Sequence, residues 1–575
     1  MLKLMRFLKP YKWTVFFIMI ITFMQTLGTL LIPAYTARII NNGVIYGDID
    51  YIIDTGITML GIAFLAGIAS IISMYLASKL GAAFGRDVRL AIFEKATFFS
   101  INDFDNIGSS SMITRTTSDV NNVQLATIYI LQFMLPAPLM AIGGFMLSFS
   151  KDPMLTIVLV IVLLVLSSIA YFMFVSVIPL YLQMQGKMDN MNKVLREIIT
   201  GVRVIRAFDG ENQEKNRFSG PAMDYASTAI KINKIFSFFL PLVILGMNLS
   251  MIAILWVGSF RVGTGNLQIG DIMAVMEYSF FISMAVLMSA FVLVFASRAE
   301  VSAERVNKVL DIDTEIKDGN YDVSKLDSKV TLEFKNVTFA YPDAEEAVLS
   351  NINFKAEAGE TVAIIGGTGS GKSTLVNLLP RFHDISSGSI LLNGIDIREL
   401  AQKDLRSKLG YIPQKPFLFS GTIKDSIGYG SENASMEDII YATETSQSKE
   451  FIESKEKKYD EPISQSGSNL SGGQKQRLSI ARALARKPDI YIFDDSFSAL
   501  DYKTDANLRK ALKLEVKNSI SIIVAQRIST IMDADKILVL DEGKLVGVGK
   551  HKDLLKSCQI YNQFATSQLN EAELA

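Results

Sequence analysis

The sequence has almost no cysteine or histidine and no excess of charge of either sign. Its 575 residues include one cysteine, Cys558, and two histidines, His383 and His551. A single cysteine excludes a disulfide framework and fits a reducing compartment such as the cytoplasm. The formal net charge is −1, from 57 basic and 58 acidic residues. This balance argues against nucleic acid as a partner, because binding it requires a basic stripe.

Charged residues are also scarce overall, at 20%, whereas hydrophobic residues make up 49% and are concentrated before about residue 297. A membrane span needs about 20 mostly apolar residues. Six stretches meet that length: 14–34, 52–77, 126–149, 154–178, 236–258 and 271–297. We therefore predict an all-α transmembrane domain of six helices over residues 1–300. No small-residue cleavage site follows the first run, so we expect a retained span rather than a signal peptide.

Basic residues are concentrated on one side of the predicted spans. They are frequent in the N-terminal segment 1–12 and in the long loop after the fourth span, and few in the short links 41–51, 150–153 and 259–270. The positive-inside rule then places the N-terminus, both long loops and the C-terminal half in the cytoplasm. We expect a multi-pass protein of the cytoplasmic membrane, surrounded by lipid bilayer.

The two long loops are predicted to be helical. Residues 181–208 are rich in good helix formers and contain no proline. Continuous helices would extend well below the bilayer at about 1.5 Å per residue. We expect the loop tips, near 100–108 and 201–209, to contact a soluble domain. The alternative is that they are ordinary surface helices.

Several polar residues lie inside the predicted spans. An acid in a span is energetically costly and indicates function by default. Glu277 is such an acid in the sixth span. It either contacts a substrate or proton, or simply reaches water near the outer end. Amide side chains in other spans are Asn248, Gln132 and Gln25.

A glycine-rich motif follows a short apolar strand in the C-terminal half. TVAII at 361–365 is followed by GGTGSGKS at 366–373 and then by a helical pattern. In this context glycines let backbone amides point at phosphate, and the helix N-terminus favours negative charge. We expect Lys372 to reach the β- and γ-phosphates of ATP and Ser373 to ligate Mg²⁺. The predicted nucleotide contacts here are Gly366, Gly367, Thr368, Gly369, Ser370, Gly371, Lys372, Ser373 and Thr374.

Two further residues fit the same site. Asp494 ends a buried-strand pattern and is placed to hold Mg²⁺ through water, at the strand end where open α/β sheets bind ligands. Tyr341, in FAYP, precedes the glycine-rich motif and could stack on adenine. An ordinary strand aromatic is the alternative for Tyr341.

LSGGQKQR at 470–477, YIPQ at 411–414 and SALD at 498–501 complete a set of motifs. With them the whole sequence resembles a half-transporter of the ATP-binding-cassette (ABC) exporter family. The resemblance implies a type I exporter fold with long cytoplasmic helical loops, joined by a linker at 301–328 to an α/β P-loop nucleotide-binding domain at 329–575.

In this family two nucleotide-binding domains pair head to tail. The phosphate loop of one domain and the signature loop (LSGGQ) of the other enclose each ATP. The resemblance therefore implies nucleotide contacts for Gln414, which also ligates Mg²⁺, and for Ser471, Gly472, Gly473, Gln474 and Asp501.

The sequence departs from the family pattern at the residues that drive hydrolysis. Members usually carry Glu after the Mg²⁺ aspartate to polarise the attacking water. Asp495 stands there and falls short by roughly 1 Å, which can cost about 100-fold in rate. Gln526, in IIVAQRIST, replaces the switch histidine that contacts the γ-phosphate, and glutamine cannot become cationic. A weaker departure is Gln465, where a Glu usually precedes the signature loop.

These departures predict a site that binds ATP well and hydrolyses it poorly. We expect a heterodimer in which a homologous partner supplies the missing Glu and His, and this chain's signature loop closes the partner's site. This pattern resembles bacterial heterodimeric multidrug exporters with one degenerate site. The predicted activity is ATP-driven export of amphipathic drugs or lipids. Two alternatives remain: a slow homodimer in which Asp495 is the general base, and an ATP-gated regulator or sensor.

Overall fold

The computed structural model describes residues 1–321, 329–342, 344–431 and 434–569. Two compact units are present. The first comprises Met1–Phe98 and Ile107–Ile312, and the second comprises Phe99–Asn106 and Asp313–Ala575.

The first unit is built from long apolar helices. Among the described residues, six helical stretches are long and apolar enough to cross a membrane: Leu2–Val44, Ile49–Thr97, Ser109–Lys151, Pro153–Thr200, Glu211–Gly263 and Ile269–Leu310. The prediction of six spans is therefore confirmed. The α-helices, in chain order, are α1 (Lys12–Arg38), α2 (Ile49–Thr97), α3 (Ile101–Ile107), α4 (Ser109–Thr114), α5 (Val120–Tyr129), α6 (Pro136–Lys151), α7 (Pro153–Thr200), α8 (Val202–Ala207), α9 (Glu211–Gly263) and α10 (Ile269–Leu310). A 3₁₀ helix (Leu2–Tyr11) precedes α1, and π-helical turns occupy Ile39–Val44, Arg115–Asp119 and Ile130–Met134.

Helices α2, α7 and α9 continue beyond their apolar runs. They contain 49, 48 and 53 residues, or about 70–80 Å at 1.5 Å per residue, more than twice the ~30 Å hydrocarbon core. The predicted helical form of the long loops is therefore confirmed. The short helices α3 and α8 lie at the loop tips. Segment Phe99–Asn106, which holds most of α3, groups with the second unit, whereas α8 groups with the first.

Ion pairs join helix ends on the side of the short links. Asp152 caps α7 by accepting a hydrogen bond from the Leu155 amide (2.9 Å), and its other oxygen accepts one from Arg261 Nη2 (2.7 Å). Burial of Asp152 opposes its charge, but these hydrogen bonds outweigh burial and hold the pKa of that carboxyl below its usual range. Lys151 pairs with Asp271 at 2.8 Å. The start of α7 is thereby tied to the end of α9, and the end of α6 to the start of α10.

The described part of the second unit forms three sheets. Its strands are β1 (Thr331–Phe339), β2 (Leu349–Glu357), β3 (Thr361–Gly366), β4 (Ser387–Leu392), β5 (Ile395–Asp396), β6 (Leu409–Ile412), β7 (Gly421–Thr422), β8 (Pro462–Ile463), β9 (Ile490–Asp494), β10 (Ile520–Val524), β11 (Lys536–Asp541) and β12 (Lys544–Gly549). The largest sheet has the strand order β12-β11-β3-β10-β9-β6, with β12 antiparallel at its edge and the other strands parallel. A four-stranded antiparallel sheet has the order β2-β1-β4-β5, and β7 pairs with β8.

Helices cover the six-stranded sheet, so its central strands are buried and read as continuous apolar runs. Ile364 of β3, Ile492 of β9 and Ile522 of β10 are almost fully buried. Besides α3, the described helices of the whole second unit, some of which pack on other helices, are α11 (Lys372–Asn377), α12 (Gln402–Ser407), α13 (Ile423–Gly428), α14 (Met436–Thr445), α15 (Lys449–Glu453), α16 (Gly472–Ala485), α17 (Tyr502–Glu515), α18 (Ile528–Ile531), α19 (His551–Ser557) and α20 (Gln559–Gln568). The α/β class predicted for the C-terminal half is confirmed.

The predicted linker at 301–328 has a helical beginning, because α10 continues to Leu310. Its last part, 322–328, lies outside the described residues. The domain bounds at 300 and 329 stay predictions.

Candidate ATP-binding site

Three chain segments meet at the carboxyl edge of the six-stranded sheet. Strand β3 leads into the phosphate loop at 366–373, and β9 ends at Asp494. Strand β10 lies between these two strands and leads to Gln526. Parallel strands share this edge, and α/β sheets bind their ligands there. Residues far apart in the sequence therefore become neighbours.

The phosphate loop requires its glycines for two different reasons. Gly369 and Gly371 have φ angles of +82° and +93°, a conformation that other residues rarely adopt. A Cβ atom on Gly366 would lie 2.2 Å from a carbonyl oxygen of the neighbouring strand β11. Within the loop, Ser370 Oγ donates a hydrogen bond to the Gly367 carbonyl (2.9 Å). The backbone is thus shaped for close approach of an anion.

Lys372 is folded onto its own loop. Its Nζ donates to the carbonyl oxygens of Gly366 (2.8 Å) and Gly367 (2.6 Å). Desolvation lowers the pKa of Lys372, and the nearby charges of Asp495 and Asp494 oppose that shift. To reach phosphates, as predicted, Lys372 must exchange these carbonyl acceptors for phosphate oxygens.

The predicted Mg²⁺ ligands Ser373 and Asp494 are in contact. Ser373 Oγ donates to Asp494 Oδ1 at 3.1 Å. Burial raises the pKa of Asp494; the Ser373 hydroxyl opposes this shift and the charge of Asp495 adds to it. Hydroxyl and carboxylate oxygens suit Mg²⁺, which commonly completes its shell with phosphate and water. Among the described residues, no group of three or more His, Cys, Asp or Glu side chains is placed to hold a metal ion.

Asp495 is held by two glutamine amides. Gln526 Nε2 donates to Asp495 Oδ2 at 2.7 Å, and Gln414 Nε2 donates to the same oxygen at 3.2 Å. The Asp495 backbone is in the left-handed region, with φ of +47°, and its amide donates to the Val524 carbonyl of β10 (3.0 Å). The two residues that depart from the family pattern are therefore direct partners. Gln414, predicted to ligate Mg²⁺, is directed to Asp495.

A residue near the C-terminal end also reaches this site. Gln568, the last residue of α20, accepts a hydrogen bond from the Ile528 amide (2.8 Å) and donates one to the Gln526 carbonyl (3.0 Å). The two bonds lie on either side of Arg527. Sequence reasoning missed Gln568, because no local motif marks it.

Tyr341 lies beside the phosphate loop in an aromatic cluster. Its hydroxyl is 3.1 Å from Thr374 Oγ1. Phe339 and His383 pack edge-on against its ring, with centroid distances of 4.9 and 5.3 Å. The structure thus places Tyr341 next to a predicted phosphate contact, and its stacking on adenine stays a prediction.

The signature loop forms the start of α16. Ser471 caps the helix by accepting from the Gln474 amide (3.3 Å), and its own amide donates to Gln474 Oε1 (3.0 Å). Asp501 caps α17 by accepting a hydrogen bond from the Thr504 amide (3.0 Å). No hydrogen bond between described residues joins the signature loop to the phosphate loop. Gln465 is exposed in a separate 3₁₀ turn, Gln465–Gly467.

The fold and site define an ATP-coupled membrane transporter. The family described as ABC transporter transmembrane region matches residues 15–286, and the family described as ABC transporter matches residues 349–498. The chain belongs to the ABC transporter family and has the half-transporter organisation of an exporter. It is a multi-pass membrane protein with a cytoplasmic ATP-binding domain, and its transport is coupled to an ATPase.

Relatives are similar over nearly the whole chain. An uncharacterised ABC transporter ATP-binding protein of Mycobacterium tuberculosis is 37% identical over 567 residues, 98% of this chain and 97% of that protein. An ATP-dependent lipid A-core flippase of Hahella chejuensis is 31% identical over 90% of this chain and 88% of its own. The solved structure of a bacterial Atm1-family ABC exporter with ATP bound has a TM-score of 0.83 at 24% identity, covering 98% of this chain and 99% of that one. The Atm1-type exporter fold is thereby shown.

Proposed function

We propose that this chain is one half of a heterodimeric, ATP-driven exporter of amphipathic drugs or lipids, and that its own ATP site hydrolyses poorly. The observation that carries the proposal is the environment of Asp495. One carboxylate oxygen, Oδ2, accepts hydrogen bonds from both Gln526 and Gln414.

A carboxylate that activates water must accept a hydrogen bond from that water, at about 2.6–3.2 Å. Asp495 is one methylene shorter than glutamate, and two amide donors already compete for its Oδ2. Gln526 stands where a histidine usually contacts the γ-phosphate, and glutamine donates without carrying positive charge. Both features weaken hydrolysis while leaving the phosphate loop intact.

Binding of Mg²⁺–ATP is supported by the rest of the site. The glycine geometry, the Lys372 ammonium and the Ser373–Asp494 pair are retained. These groups recognise phosphate and Mg²⁺ without taking part in water activation. When bound, the nucleotide would supply the phosphoryl group and most of the Mg²⁺ ligands. The combination favours a site that binds nucleotide and turns it over slowly.

A heterodimer gives the intact signature loop of this chain a hydrolytic site to complete, whereas a homodimer does not. Two copies would make two weak sites and a slow pump. The signature loop has its full sequence, and Ser471 and Gln474 close a capping box that presents the first turn of α16. A homologous partner with Glu and His at the corresponding positions would then hydrolyse ATP against this loop. The lipid A-core flippase named among the relatives supports a lipid-like substrate.

The test is the ATPase activity of the purified full-length chain, alone and after co-expression with the product of its neighbouring gene. We expect negligible activity alone and robust activity together. Changing the partner's catalytic Glu to Gln should abolish that activity, because water activation occurs there. Asp495→Asn should change it little.

Three results would contradict the proposal. Robust activity of the chain alone, lost in Asp495→Asn, would mean a homodimer in which Asp495 is a working base. No activity in the complex despite tight ATP binding, with a partner that also lacks Glu and His, would favour an ATP-gated sensor. Activity of the complex that depends equally on both sites would exclude asymmetry.

A further inference from the structure

A cavity lies between α9 and α10 in the first unit. Its volume is about 620 Å³, within the range of sites for small organic ligands. Asn248 and Glu277 line it. The serine hydroxyls in its wall are already bonded: Ser279 to Ser250 (2.7 Å), and Ser283 to the Ser279 carbonyl (2.7 Å). Glu277 and Asn248 therefore remain as the polar groups for a ligand.

Glu277 is an acid without a counter-charge among the described residues. The acids near the short-link ends of these helices are paired, Asp271 with Lys151 and Asp152 with Arg261. Lys151 and Arg261 are therefore committed to other acids. A carboxylate at membrane depth is costly unless it is neutralised or paired. The cavity thus offers one carboxyl group without a counter-charge, and a cationic ligand would supply that counter-charge.

The remaining walls are apolar and polarizable. Phe280 and Phe281 line the cavity, with ring centroids 6.0 Å apart and edge-to-face. Methionines, among them Met251, Met273 and Met276, fill much of the rest. Aromatic faces attract cations, and thioethers adapt to ligands of varied shape. A compact, strongly hydrated ion would lose its water here without replacement, and an anion would be repelled by Glu277.

We propose that this cavity binds a lipophilic monocation whose charge is met by Glu277. The inference rests on the proposed export function and names a substrate class for it. Glu277 supplies the charge and the aromatic and methionine side chains supply the apolar contact area.

The test uses two probes of similar shape and opposite charge, tetraphenylphosphonium and tetraphenylborate. Binding is measured on the full-length chain in lipid nanodiscs, alone and with its co-expressed partner, without nucleotide. We expect saturable binding of the phosphonium and much weaker binding of the borate. Glu277→Gln should weaken phosphonium binding at least about tenfold, as expected for loss of one partner of a desolvated charge pair. Glu277→Asp should retain most of it.

The matched control is Asp54→Asn, an acid-to-amide change in α2 at an exposed residue that does not line the cavity. Binding should be unchanged there. Equal phosphonium binding by wild type and Glu277→Gln, or equal binding of both probes by wild type, would overturn the proposal.

A second measurement does not depend on Glu277 variants folding. The native Cys558 is buried, so a cysteine introduced as Met276→Cys would be the reactive thiol. Tetraphenylphosphonium should slow its labelling, and tetraphenylborate should not. Unchanged labelling with both probes would overturn the proposed site. Because no nucleotide is present, such a result would not contradict the proposed asymmetry of the ATP sites. Conversely, a negative ATPase test would not contradict a positive binding result.

Discussion

At the residue scale, the proposed slow hydrolysis depends on Asp495 and Gln526. We expect the double variant Asp495→Glu, Gln526→His to have an ATPase activity of the order of 100-fold higher than that of the unmodified chain, with both assayed without the partner. The longer carboxylate reaches the water and the imidazole can carry positive charge. The measurement is phosphate release at saturating ATP. Asp495→Asn with Gln526→His is the control, because it restores the imidazole without a carboxylate. No gain in the first variant would mean that other residues limit hydrolysis.

Residues that belong to local motifs were predictable from the sequence. The phosphate loop, Asp494 and the signature loop each carry their own spacing, and the apolar runs specify the spans. Contacts that depend on tertiary geometry were not. The hydrogen bonds that Gln526 and Gln414 donate to Asp495 arise because β10 and β6 lie on either side of β9 in the sheet. Strand order is not written in any one segment, so these contacts required the structure.

At the element scale, α20 holds the segment that carries Gln526. Gln568 bonds backbone groups on both sides of Arg527. We expect Gln568→Ala to speed hydrogen exchange of the Ile528 amide about fivefold or more, because each such bond contributes about 1 kcal/mol. Gln563→Ala is the control, since Gln563 is an exposed glutamine on the same helix. Equal exchange rates in wild type and both variants would show that α20 does not restrain this segment.

At the scale of the whole molecule, the signature loop should matter more to turnover than the chain's own phosphate loop. We expect Ser471→Arg to lower the ATPase activity of the complex about 100-fold, because in the proposed heterodimer it removes a polar group that is predicted to contact the partner's ATP. Lys372→Ala should lower the same activity less than about tenfold, since it alters the site that we propose to be slow. The matched control is Ser435→Arg, because Ser435 caps α14 with the same kind of capping box. Loss of either cap should lower the stability of the protein by a similar ~1 kcal/mol.

The two serine variants separate folding from function. If Ser435→Arg lowers activity as much as Ser471→Arg, the loss reflects a damaged helix start. If Lys372→Ala is the more severe change, the chain's own site is the one that turns over, and the asymmetry is reversed.

The first turn of α16 is closed by Ser471 and Gln474 of the same chain, without help from any other protein. A surface that is already rigid loses little conformational freedom when it meets its target. This first turn should therefore need little ordering when it docks onto a second nucleotide-binding domain. The free energy of ATP binding is then available for closing the two domains, because none of it is needed to order this loop. That favours a transporter whose domains must open again after every cycle.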